Sequence, residues 1–233
     1  MMHARWLSLL LSVLMLAGNW TLDTQDEIPQ LVNRDHRLTR EDVPYVLALP
    51  QVQPSREDKI KEIYMLPEAA SALEDLFAEA AKAGLTLYAV SGYRSYALQA
   101  SLYRAKVSAV GEAQANLLVA QAGDSEHQTG LAMDINGKTT LSQGLVEAFG
   151  DSPEGLWVAD QAHRFGFVIR YPLDGTDITG YSWEPWHLRY VGVGHATALY
   201  VLDVTLEEYV ALLQWHEWSK RWPMPLQWVL GIR

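Results

Sequence analysis

Two periodicities alternate along this chain, and their alternation limits the fold more than any other feature. Ala70, Leu73, Leu76, Phe77, Ala80 and Ala81 recur at spacings of three and four, which predicts a helix opened by Pro67 and closed at Gly84. Leu85–Val90 predicts a strand, and Tyr96–Val110 and Glu112–Ala122 predict two short helices divided by Gly111. At 131–136, Leu131, Met133 and Ile135 alternate with Ala132, Asp134 and Asn136. That period predicts a strand with Asp134 turned away from the apolar face. Ser152 and Pro153 have the chemistry of a helix cap and first helical residue, with Gly166 as the stop. Phe167–Tyr171 and Trp186–Val191 predict further strands. Thr205 with Glu208 forms a capping-box pattern for a last helix to about Trp218. Helices and strands interleave without a repeat, so the class is α+β, one modest sheet with helices packed around it.

At 233 residues the chain is long enough for a single domain with trimmings. Apolar residues make up 49% and charged residues 20%, which excludes wholesale disorder. The net charge is -10 with no basic tract, which argues against nucleic acid as a partner, since phosphates are neutralised by Lys and Arg. His3 and Arg5 precede the apolar run Trp6–Ala17, so residues 1–18 read as a secretory signal and the protein as exported to the cell envelope. Asn19 stands where a lipoprotein would carry its lipidated cysteine, so no lipid anchor is expected there. Residues 19–60 are polar and proline-interrupted and form a lead-in that wraps or links.

There is no cysteine, so a catalytic metal must be held by His, Asp or Glu. Two segments carry suitable residues. His127 lies in a polar turn before Gly130, and Asp134 follows on the predicted strand. Downstream, Glu184-Pro185-Trp186-His187 is predicted to be a bend entering a strand, because Pro185 drives Glu184 from the helical region. Two imidazoles and a carboxylate suit catalytic zinc, which keeps a fourth position for water, and a further carboxylate can act as base. By spacing alone, the first segment is also an ordinary polar turn and the second a capped strand end with a buried tryptophan. His36, His163, His195 and His216 lack such company and read as ordinary surface or core histidines.

The residues Ser125-Glu126-His127-Gln128-Thr129-Gly130-Leu131-Ala132-Met133-Asp134 and Glu184-Pro185-Trp186-His187-Leu188-Arg189-Tyr190, with Ser91-Gly92-Tyr93-Arg94-Ser95 upstream, resemble the zinc D-alanyl-D-alanine carboxypeptidases of the VanY type. Close relatives of that family include L,D-carboxypeptidases. The resemblance runs over roughly residues 31–210 and implies a small antiparallel sheet flanked by helices, with 61–210 as the zinc carboxypeptidase domain. It also implies His127, Asp134 and His187 as zinc ligands and Glu184 as the catalytic base. The implied substrates are peptidoglycan stem peptides that lose a C-terminal D-alanine. L,D-cleavage of tetrapeptide stems is the alternative, and a non-catalytic wall-binding module the remote one. The family often has Pro-Gly where this chain has Gly123-Asp124.

An exopeptidase of this kind must recognise a free carboxylate, and the planar fork of Arg94 binds one bidentately. A structural arginine paired with a neighbouring aspartate is the other reading. Gln99 and Ser125 are further candidates for contact with the terminal residue. Residues 211–233 form a tryptophan-rich tail with Trp215, Trp218, Trp222 and Trp228. Lys220 and Arg221 would suit a membrane contact, but Pro223 and Pro225 break a continuous interfacial helix. Cover for an apolar patch of the domain is the favoured reading. The oligomeric state is not legible.

Overall fold

The computed structural model describes residues 27–221, with side chains through residue 218. The signal expected at 1–18 lies outside the described residues, as do Trp222 and Trp228. No helix among the described residues is long and apolar enough to cross a membrane.

Residues 31–205 form one compact unit. Its centre is a four-stranded antiparallel sheet in the order β1 (Leu87–Ser91), β2 (Ala132–Gly137), β4 (Glu184–Tyr190), β3 (Phe167–Tyr171). The fold is α+β. Leu87, Ala89, Met133, Ile135, Phe167 and Leu188 line one buried face, joined there by Leu73, Leu76 and Ala80 of helix α1 (Pro67–Lys82) and Val158 of α4 (Pro153–Gln161). The other face carries Asp134, His187, Arg170 and Arg189, also buried. Side chains alternate across a strand, so the residues between the core positions project to that second face.

Helix edges follow local chemistry. Ser152 accepts from the Gly155 amide at 3.1 Å, and Pro153 occupies the first turn of α4. Ser95 likewise accepts from Leu98 at the start of α2 (Tyr96–Val110), and Gly111 separates it from α3 (Glu112–Leu118). This third helix stops short of the predicted Ala122, because Val119 turns extended at φ -146°. Two helices went unpredicted, the single turn α5 (Thr176–Thr179) and α6 (Val193–Leu202). Neither has a side-chain cap, and α6 is apolar nearly all round, so it lacks the periodic stripe on which sequence reading depends.

The segment 31–56 has no regular element, yet it is tied in at several points. Val32 is fully buried, Ala48 pairs with Met65, and Pro54 bridges to Ala89. Arg37 forms an ion pair of 2.9 Å with buried Asp124, and the Leu38 amide donates to the Gly123 carbonyl at 2.8 Å. Gly123-Asp124, the departure from the Pro-Gly pattern, thus anchors this segment beside the turn that bears His127. Helix α7 (Leu206–Arg221) belongs to a second unit. It buries Leu206, Tyr209, Val210 and Leu213 and exposes Trp215 and Trp218.

Candidate metal centre

The strand register assembles the site. Asp134 on β2 and His187 on β4 are directly opposed across the ladder, where paired side chains are close neighbours. His127 comes from a 3-10 turn, Glu126–Thr129, that ends at Gly130 in the left-handed region (φ 74°). A Cβ at Gly130 would meet Leu47 and Leu66 at 3.1–3.3 Å, so both conformation and space call for glycine. The turn is fastened by the Gln128 amide, which donates to the carbonyls of Thr39 (2.6 Å) and Asp42 (3.0 Å).

The predicted bend at Glu184 needs correction: Glu184 is the first residue of β4 and pairs with Tyr171. Between the pairs Ile169–Leu188 and Tyr171–Glu184, β3 advances two residues while β4 advances four. The surplus is a bulge containing Pro185, whose missing amide proton is tolerated there. In a regular strand, Glu184 and His187 would project to opposite faces. The bulge re-aims them, and Glu184 Oε2 lies 3.7 Å from His187 Nδ1.

Three donors converge. Asp134 Oδ1 lies 3.3 Å from His127 Nε2 and 3.2 Å from His187 Nδ1, and one ligand atom from each residue falls within 4.8 Å of the others. The opposite ring nitrogens face away from Asp134. His127 Nδ1 bonds the Gly92 carbonyl at 2.7 Å, and His187 Nε2 lies 3.6 Å from Glu126 Oε2. Gly92 must be small, since a Cβ there would meet the Tyr64 carbonyl at 2.4 Å. Asp134 Oδ1 is buried with no hydrogen-bond partner. An orphaned carboxylate oxygen between two imidazoles is a donor set that could hold a divalent metal.

Arg94 enters the same space. Its Nε donates to Ser91 Oγ (2.9 Å), NH1 to Gln99 Oε1 (3.3 Å), and NH2 contacts Asp134 Oδ2 and lies 2.8 Å from His127 Nε2. Gln99 in turn donates to the Ala120 carbonyl at 2.8 Å, so its amide is committed at both ends. Arg94, Gln99, Ser125, His127, Asp134, Glu184 and His187 all line one cavity of about 280 Å³. His36, His163 and His195 are not among its lining residues, and His163 stacks on Tyr200 instead.

Electrostatics divides the carboxyls. Burial raises Glu184 to about 7, partly offset by His187. For Asp134, burial acts the same way, but His127 and Arg94 overcome it and hold the carboxyl well below its usual range. Sequence reasoning missed the support beneath the donors. Fully buried Glu126 is bound by Arg170 Nε at 2.7 Å and Arg189 NH1 at 2.8 Å. Burial opposes its ionisation, and the two guanidiniums keep it ionised regardless. The available signal was an arginine inside each of two apolar strands, since a charge at such a position is paired when buried.

The fold and this site define a metallopeptidase. A family model described as "VanY: D-alanyl-D-alanine carboxypeptidase" matches residues 62–193, and the chain belongs to that family. It is 47% identical over 192 residues to the putative carboxypeptidase YodJ of Bacillus subtilis, covering 82% of this chain and 70% of YodJ. The LdcB LD-carboxypeptidase structure superposes with a TM-score of 0.71 at 49% identity, over 77% of this chain and 83% of LdcB. A mutant of the vancomycin-resistance D,D-pentapeptidase VanY in complex with Zn(II) gives 0.64 at 34% identity, over 78% and 97%. The chain spans about half the length of the D-alanyl-D-alanine carboxypeptidases it matches from Enterococcus faecium and Enterococcus faecalis (46% and 52%).

Proposed function

We propose that this protein is an exported zinc carboxypeptidase that releases the C-terminal D-alanine of peptidoglycan stem peptides. The observation that carries the reading is the cluster of His127, Asp134 and His187 in one cavity with Glu184 and Arg94. His127, Asp134 and His187 would hold the zinc, which when bound makes a water nucleophilic near neutral pH and polarises the scissile carbonyl. Glu184 takes the proton of the attacking water and returns it to the leaving amine. Arg94 holds the substrate's terminal carboxylate, with Ser91 and Gln99 fixing its guanidinium and Ser125 at the cavity wall.

The family description supports D,D-cleavage of pentapeptide stems. The higher likeness to LdcB favours a second reading, L,D-cleavage of tetrapeptides. Both release D-alanine. The test is release from purified penta- and tetrapeptide stems by the zinc-loaded protein. Release from the pentapeptide alone selects the first reading and from the tetrapeptide alone the second, while no release from either ends both.

Two expected results follow from the ligand and anchor assignments. His127→Ala or His187→Ala loses bound zinc and activity together, and stoichiometric zinc in either variant by elemental analysis would overturn the ligand set. Arg94→Lys keeps zinc but loses roughly ten-fold or more in kcat/KM, since a lysine cannot make the paired hydrogen bonds. Amidating the substrate's C-terminus is expected to erase that difference. Efficient cleavage of the amidated peptide by both proteins would remove Arg94 as the anchor.

A further inference from the structure

Two charged side chains in the cavity have no task in the reaction just described. Lys106 on α2 and Glu147 on the 3-10 turn Glu147–Phe149 after β2 both line it. Lys106 is half-buried and Glu147 exposed, which places one in the wall and the other at the rim. Among the described residues, neither has a hydrogen-bond or ion-pair partner, and they do not pair with each other. Lys106 shares the cavity wall with Glu184 and Arg94. The C-terminal carboxylate already has its match in Arg94. A second cation in the wall therefore fits a second carboxylate, and an anion at the rim fits an amine.

The cavity volume of about 280 Å³ is just below the roughly 300–1,000 Å³ of small-molecule pockets. It holds one or two residues and not a whole stem peptide. Whatever Lys106 and Glu147 read therefore lies close to the scissile bond. One positive and one negative group on separate elements suit a side chain that ends in both charges.

We propose that Lys106 and Glu147 are specificity residues for a substrate side chain ending in an ammonium and a carboxylate on one carbon, as in diaminopimelate, on the amino-terminal side of the scissile bond. The inference rests on the stem-peptide reading above. A lysine in that position offers Glu147 its ammonium but leaves Lys106 facing no anion, which penalises it relative to the zwitterionic side chain.

The test uses the zinc-loaded full chain and stem peptides, tetra- and pentapeptide, that differ only in diaminopimelate or lysine as third residue. The wild type is expected to favour the diaminopimelate peptide by at least about five-fold in kcat/KM, the size of a partly exposed ion pair. Lys106→Met is expected to bring that ratio close to one, and Glu147→Gln to weaken both peptides. Taking the ratio cancels any uniform effect of removing a charge near Glu184. Calorimetric binding of the same peptides to zinc-loaded Glu184→Gln protein is expected to follow the same order. Equal rates for the two peptides in the wild type together with equal affinities in Glu184→Gln overturn the pair, as does a ratio unchanged by Lys106→Met. If neither peptide is cleaved, the stem-peptide reading fails, and the calorimetric comparison still decides the pair.

Discussion

Glu184→Gln is expected to bind zinc as the wild type does and to lose about 10²–10⁴-fold in turnover, the usual worth of a general base. Glutamine keeps the shape and the place in the β4 bulge but cannot accept a proton. Glu184 lines the cavity with its Oε2 3.7 Å from His187 Nδ1 and its side chain only 14% exposed. The substitution leaves His127, Asp134 and His187, the proposed ligands, in place. Zinc content and turnover have to be measured on the same preparation. A variant that keeps a tenth or more of the activity would remove Glu184 from the chemistry. Loss of zinc would instead make it a ligand.

The second large effect concerns stability. Glu126→Gln leaves Arg170 and Arg189 buried against a neutral amide. Removing one partner from a buried ion network costs about 3–5 kcal/mol, because the remaining charge has left water without compensation. For a domain of this size that corresponds to a fall in Tm on the order of 10 °C. The same substitution weakens the support of His187, so zinc affinity is expected to fall about 10–100-fold. Thermal unfolding without added metal isolates the first effect, and metal titration below the unfolding range the second. An unchanged Tm would mean that the Glu126 network is not needed for stability.

Local signals placed most of the framework. Ser152 and Pro153 start α4 as their chemistry requires, and Gly111 divides α2 from α3. The alternation around Met133 and Ile135 gave β2 its core face. It turned Asp134 to the opposite face, and there Asp134 and Asn136 are buried as fully as the core. Burial of a second face depends on what covers it, and that is contributed by segments distant in sequence. The unpredicted α6 is the converse case, a helix without cap or stripe whose presence is settled by packing.

The amino-acid sequence by itself determined the class of fold, the helix and strand edges that have caps or glycines, and the donor types, since without cysteine only imidazoles and carboxylates were available. Tertiary structure decided how those donors meet. The β2–β4 register opposes Asp134 to His187, and the bulge against β3 brings Glu184 onto the same face. Glu126 meets arginines from two strands far along the chain. Register and bulges are relations between strands, and a one-residue slip would send every side chain to the other face. No local propensity encodes that choice, because it is made by the free energy of burying one face and pairing the charges on the other.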